Sequence, residues 1–263
     1  MRVNWAGERS GIAVPTPAQG FVTRAVLLAD VRARLTGGRG FSIATLNLDH
    51  AVKLRRMPEF VAAYATQTHV TADGNPIVWV ERLAGRSVEL VTGADLVLPL
   101  ARQAADAGRG VALVGSTPDA LERASAHLQE RVPGLRISAQ IAPAFGFDPT
   151  GEEASALARR LAEDDTLGLV FLALGAPKQE IFAAHLLNAA PRLGIASVGA
   201  GLDFLAGAQR RAPRVVRRAG LEWLWRLLHD PRRLTGRYAR CAALLPGMGA
   251  RALRVRWRAE RVG

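Results

Sequence analysis

Two periodicities alternate along this chain, and that alternation constrains the fold more tightly than any single motif. Short apolar runs read as strands: "FSIATLNLDH" from Phe41, "GVALVGS" from Gly110, "LRISAQIAPAF" from Leu135, "LGLVFLALG" from Leu167 and "LGIASVGAG" from Leu193. The first four are followed by amphipathic stretches, "AVKLRRMPEFVAAYATQ", "TPDALERASAHLQERV", "TGEEASALARRLAED" and "APKQEIFAAHLLNAA". Repeated βα units of this length place helices on the faces of a mostly parallel sheet, so the expected fold class is α/β. After Ala212-Pro213 no strand-like run remains, and tryptophans lie among arginines in "RVVRRAGLEWLWRLLHDPRRLTGRYARCAALLP". The sequence therefore predicts an α/β domain over 1–208 and a basic helical appendage over 209–263.

Charge follows the same division. The chain of 263 residues carries a formal charge of +12, and residues 209–263 account for all of it, with 15 Arg against Glu222, Asp230 and Glu260. A neutral body with a cationic attachment surface suits phosphate-rich partners. The longest uncharged apolar runs fall short of the ~18–20 residues a membrane-spanning helix needs. The first twenty residues lack the apolar core of a secretory signal, and Cys241, the only cysteine, has no partner for an intrachain disulfide. The expected location is the cytoplasm.

In open parallel sheets ligands bind beyond the carboxyl ends of the strands, where helix N-termini offer free N–H groups. Five exits here are small and polar: "TLNLDH", "GSTPD", "AFGFD", "GAPKQE" and "GAGLDF". They suggest a nucleotide-type ligand. "VGAGLDF" places Gly199 and Gly201 as in a dinucleotide fingerprint, but Phe204 stands where the third glycine belongs and no acidic residue follows on a second strand, which argues against a NAD enzyme. Asp73, at the end of a short strand before Gly74, reads either as a turn or helix-cap carboxylate or as a general base. Gln179 reads as an exposed first-turn residue or a ligand contact, and Asp203 as a turn carboxylate or a ligand contact. The five histidines, His50, His69, His127, His185 and His229, show no metal-ligand spacing.

Taken in order, "TLNLDHAVKLRR", "TADGNPIVW", "TGADL", "VALVGSTPDALERASAHLQERVPGL", "LGAPKQE", "GAGLDFLAGAQRRAP" and "GLEWLWRLLHDPRRLTGRY" resemble the WecG/TagA/CpsF family of bacterial glycosyltransferases, family 26, from about Phe41 to Tyr238. The resemblance implies a Rossmann-like fold and an inverting, metal-independent transferase without a cofactor. Such an enzyme moves a sugar, typically N-acetylmannosamine, from a UDP donor to a polyprenyl-diphosphate-linked sugar in cell-surface polysaccharide synthesis. It implies that Asp73 is the catalytic base and Gln179 an active-site glutamine, and that Thr45 and Asn47 occupy the "T-x-N" active-site positions. Leu90 stands where members commonly carry Arg before "VTG", and Arg86, Arg211 or Arg218 are the candidates to replace it.

Within that chemistry the N–H groups after Gly115 and Gly175 are candidates for the diphosphate, Phe145 or Phe147 for the uracil border, and Asp203 and Arg211 for further donor contacts. In the tail, Arg214, Arg217, Arg218, Arg226, Arg232, Arg233 and Arg237, with Trp223 and Trp225, are the expected membrane and lipid-diphosphate contacts; Arg210 belongs to the same basic run. Interleaved Arg and Trp also fit nucleic-acid binding. Interfacial docking fits them better, so the expected partner is the anionic inner face of the plasma membrane, peripherally bound, and no nucleic acid.

Overall fold

The computed structural model describes residues 20–209, 211–213, 215–216 and 220–262. Its centre is a six-stranded, wholly parallel sheet in the order β2-β1-β6-β5-β3-β4. The strands are β1 (Phe41–Leu46), β2 (His69–Ala72), β3 (Gly110–Gly115), β4 (Ile137–Ile141), β5 (Leu167–Ala173) and β6 (Gly194–Ser197). The helices of the body are α1 (Arg24–Thr36), α2 (Leu48–Leu54), α3 (Pro58–Ala65), α4 (Asn75–Leu83), α5 (Gly93–Asp106), α6 (Pro118–Arg131), α7 (Glu152–Glu163), α8 (Lys178–Ala189) and α9 (Gly201–Leu205). This is the α/β, Rossmann-like arrangement that the alternating pattern predicts.

Both faces of the sheet are covered, which is why the central strands read as continuous apolar runs. Phe41 and Ile43, Val111 and Leu113, and Leu169 and Phe171 point to one face, where they meet Leu27 and Val31 of α1 and Leu96 and Leu100 of α5. Their alternates point to the other: Ala44 and Leu46 pack with Phe60, Tyr64 and Ile77, and Val114, Val170 and Leu172 pack with Phe182 and Leu186. The stretch "AVKLRRMPEFVAAYATQ" forms two helices rather than one. Pro58 opens α3, and its ring pushes the preceding Met57 to an extended backbone (φ −125°, ψ 95°), which ends the helical path.

The C-terminal segment is helical, as its pattern predicts, in α10 (Glu222–His229) and the long α11 (Pro231–Val262). It also shares a core with the body: Met248 and Ala252 of α11 are buried in the same cluster as Leu46, Phe60 and Val78, and α11 lies against α2 and α4. No described helix is long and apolar enough to cross a membrane.

Candidate active site

Asp73 follows β2 directly, and the β1–β2 register sets its height. Thr71 and Ala72 lie beside Thr45 and Leu46, and the Asp73 N–H donates to the Leu46 carbonyl at 2.7 Å. Its side chain does not cap α4, whose N-cap is Gly74 with no side-chain bond. The carboxylate instead accepts from the N–H of Gly93, the first residue of α5, at 3.4 Å. The Thr45 hydroxyl is within hydrogen-bonding reach of the same carboxylate and lies 3.4 Å from the Ser197 carbonyl, so β1, β2 and β6 meet at this point. Asp73 is half-buried. That burial pushes its pKa up to about 6, with the Glu222 charge acting in the same direction and the Gly93 N–H, Thr45 and Arg226 opposing it.

The other exits gather along the same edge. Asn47 accepts the His50 N–H at 3.1 Å as N-cap of α2. Gly115 ends β3 at φ 112°, and a Cβ there would fall 2.5 Å from the Ala173 carbonyl. The N–H after it is not free for a diphosphate: Ser116 donates it to the Ala173 carbonyl at 3.2 Å. What this turn offers is the Ser116 side chain. Held at φ 55°, a conformation uncommon outside glycine, Ser116 directs its Oγ to Asp203, which also accepts from Gln209 Nε2 at 2.8 Å. Gly175, at φ 73°, turns the chain from β5 into α8, where Gln179 is buried rather than exposed.

The C-terminal segment reaches this edge. Arg211 pairs with Asp95 at 2.7 Å and donates to Thr92 Oγ1 at 3.2 Å, clamping the first turn of α5 beside Asp73, and its Nε is buried without a partner. Arg211 and Arg226 lie over the Phe204 ring, 5.9 and 6.0 Å from its centroid. Arg237 pairs with Asp49 of α2 at 3.3 Å, opposite Lys53 at 2.8 Å. Trp223 meets Tyr238 edge-on and is 43% exposed, Trp225 lies against the His229 ring, and Arg232 is exposed. Arg210, Arg214, Arg217 and Arg218 lie outside the described residues, as does the side chain of Arg233.

Thus Thr45, Asp73, Arg211 and Arg226 come together, with Phe204 and Glu222 as neighbours that sequence reasoning passed over, while Asp203 meets Ser116 at the exit of β3. Phe204 was visible only as a broken glycine pattern and Ser116 only as the backbone N–H after Gly115, and Glu222 carries no signal without the fold. Three candidates stand apart. Phe145 is fully exposed in the turn after β4, four strand positions from β1; Phe147 packs edge-on against Phe182 in the core; Arg86 is tied to the buried Glu81 beyond the far end of α4. Among the described residues no three His, Cys, Asp or Glu side chains gather as a metal site. A family model for the WecG/TagA/CpsF glycosyl transferases matches residues 18–261, nearly the whole chain.

Proposed function

The chain belongs to the WecG/TagA/CpsF glycosyltransferase family, whose members act in cell-surface polysaccharide synthesis, and we propose that it is an inverting enzyme using a UDP-sugar donor. The sugar is N-acetylmannosamine or a related hexose, and the acceptor is a sugar on polyprenyl diphosphate. One observation carries this reading: a single carboxylate, Asp73, half-buried at the carboxyl edge of the sheet and lifted by burial to about 6. A base with that pKa is ionised at neutral pH yet more basic than an ordinary aspartate. It takes the proton of the acceptor hydroxyl as that oxygen attacks the anomeric carbon from the face opposite UDP. The bond to UDP breaks, its electrons leave with the diphosphate, and the configuration inverts.

Hydrolytic glycosidases need a second carboxyl to protonate the leaving oxygen. UDP leaves without that help, provided cations meet its charge. In this reading Arg226, which acts on Asp73 from α10, and the N-terminus of α6 after the Ser116 turn meet that charge. The lipid-linked acceptor brings the enzyme to a membrane surface, and the exposed apolar side chains of α10 suit that contact. Incubation with a panel of UDP-sugars and a short-chain lipid-diphosphate-sugar, with products read by mass, tests the reading. Transfer of one hexose is expected; no transfer with any donor, together with tight oligonucleotide binding, would favour a nucleic-acid-binding protein instead.

A further inference from the structure

Gln179 and Glu180 open α8 side by side, and both are buried, at 2% and 0% exposure. Gln179 Nε2 donates to Glu180 Oε1 at 2.8 Å, while Gln179 Oε1 and Glu180 Oε2 are buried and have no partner. A buried amide oxygen without a donor costs roughly 1–3 kcal/mol, so a ligand donor reaching Gln179 Oε1 would recover that cost. The two ends of a glutamine amide are nearly isosteric, and only the neighbouring group decides which faces outward. A carboxylate beside it accepts and cannot donate, so it selects the N–H end.

We propose that Glu180 is a positioning residue that turns the Gln179 side-chain amide so that its carbonyl oxygen accepts a hydroxyl or N–H of the sugar nucleotide. This rests on the reading of the strand exits as a sugar-nucleotide site. The surroundings make the device sensitive to protonation. Burial, opposed by Gln179, its own backbone N–H and Lys53, lifts Glu180 to about 7, with Asp49 adding to the rise. The neighbours do not neutralise it: His50 Nδ1 is 3.8 Å away and is bonded to the Tyr64 hydroxyl at 2.6 Å. Burial and Lys53 drive His50 down to about 3, so it is uncharged, and Tyr64 is raised well above its usual range and stays protonated. Asp49 is held ionised by Lys53 and Arg237. Glu180 is therefore the group of this cluster that changes charge near neutrality. Once protonated, it can donate to Gln179 Oε1 and reverse the amide.

Two measurements test this. In ligand-free protein, the Glu180 side-chain carboxyl carbon and the Gln179 side-chain NH2 should shift together with one midpoint near 7 by NMR, and the Gln179 shift should vanish in Glu180→Gln. Separate midpoints, or a Gln179 resonance indifferent to pH, would overturn the proposal without touching the donor assignment. In binding, Glu180→Gln should weaken UDP-N-acetylmannosamine by about tenfold, the loss expected for one hydrogen bond. The Gln179→Ala/Glu180→Gln double variant should be no weaker than Gln179→Ala alone. Additive losses would show that Glu180 does not act through Gln179. If Glu180→Gln does not fold, the wild-type titration decides: independent midpoints overturn the proposal and a shared one supports it. If wild-type protein binds no UDP-sugar while the coupled titration is present, the donor reading fails and the amide-orienting role stands.

Discussion

Burial that lifts the Asp73 carboxyl to about 6 acts on the reaction and on the fold in opposite directions. In the proposed reaction the ionised form is the base, so kcat/KM should rise with pH through about 6 and then level. For the fold, a pKa raised above its ordinary 3.8 means the native state prefers the proton; that stabilising preference is fully present below 3.8 and is lost as pH rises through about 6. Asp73→Asn should therefore lower transfer by ~10² to 10⁴-fold with UDP affinity nearly unchanged. Its melting temperature relative to wild type should also climb as pH is raised from below 3.8 to above about 6. A variant that keeps a tenth or more of wild-type turnover ends the assignment of Asp73 as base. On its own residues Asp73 was open between a turn or cap carboxylate and a base, and the resemblance rather than the Asp-Gly pair singled it out; the structure removes the cap reading, since α4 has no side-chain cap. The partner of Asp73, the Gly93 N–H twenty residues on, was not legible in the sequence, because only the pairing of Leu90 beside Ala72 returns the chain to that spot.

At the scale of elements, the sheet was legible because buried parallel strands must be apolar on both faces, and β1, β3, β5 and β6 are. Helices α1 and α5 were harder to see. α5 carries Pro99 in its interior, a residue that argues against a helix locally, and is held by packing of Leu96, Leu100 and Ala104 and by the Thr92 cap. The turn between β3 and α6 is the least forgiving joint. Gly115→Ala would add a Cβ 2.5 Å from the Ala173 carbonyl at a backbone angle that side chains resist. We expect a loss of ~1–3 kcal/mol from the backbone strain alone, read by urea unfolding, and a drop in transfer because Ser116 and Asp203 lose their alignment. An unchanged midpoint would mean that β3 and β5 separate at little cost.

With the proposed UDP-sugar donor, the charge that develops on the leaving diphosphate has to be met by the molecule as a whole. With Leu90 where the resemblance leads one to expect an arginine and Arg86 paired with Glu81, the described cations that act on Asp73 are Arg211 and Arg226 of the C-terminal segment. Transfer should accordingly persist in excess EDTA; strict dependence on added Mn²⁺ or Mg²⁺ would count against arginines doing this.

The same segment has a second face. On α10, Glu222 and Arg226 lie one turn apart and act on Asp73, whereas Trp223 and Leu228 are 43% and 71% exposed, and Leu221 just before the helix is 42% exposed. A short helix with charge toward the site and bare apolar side chains outward is suited to an interface between water and lipid. Removing the whole segment would not isolate this role, since Met248 and Ala252 of α11 complete the core against α4. Replacing Trp223 and Leu228 by serine removes exposed apolar surface at the cost of one edge-on ring contact, that of Trp223 with Tyr238. Burying one leucine is worth about 1.5–3 kcal/mol, and basic residues near an anionic surface add ~1 kcal/mol each within a Debye length. The double variant should lose no more stability than that ring contact, about 0.5–1.5 kcal/mol, and should keep its turnover of a short-chain acceptor. It should sediment with anionic vesicles at least tenfold less, and its residual binding should be released by salt. Wild-type sedimentation by that variant would show that α10 does not meet the membrane, whatever the arginines do.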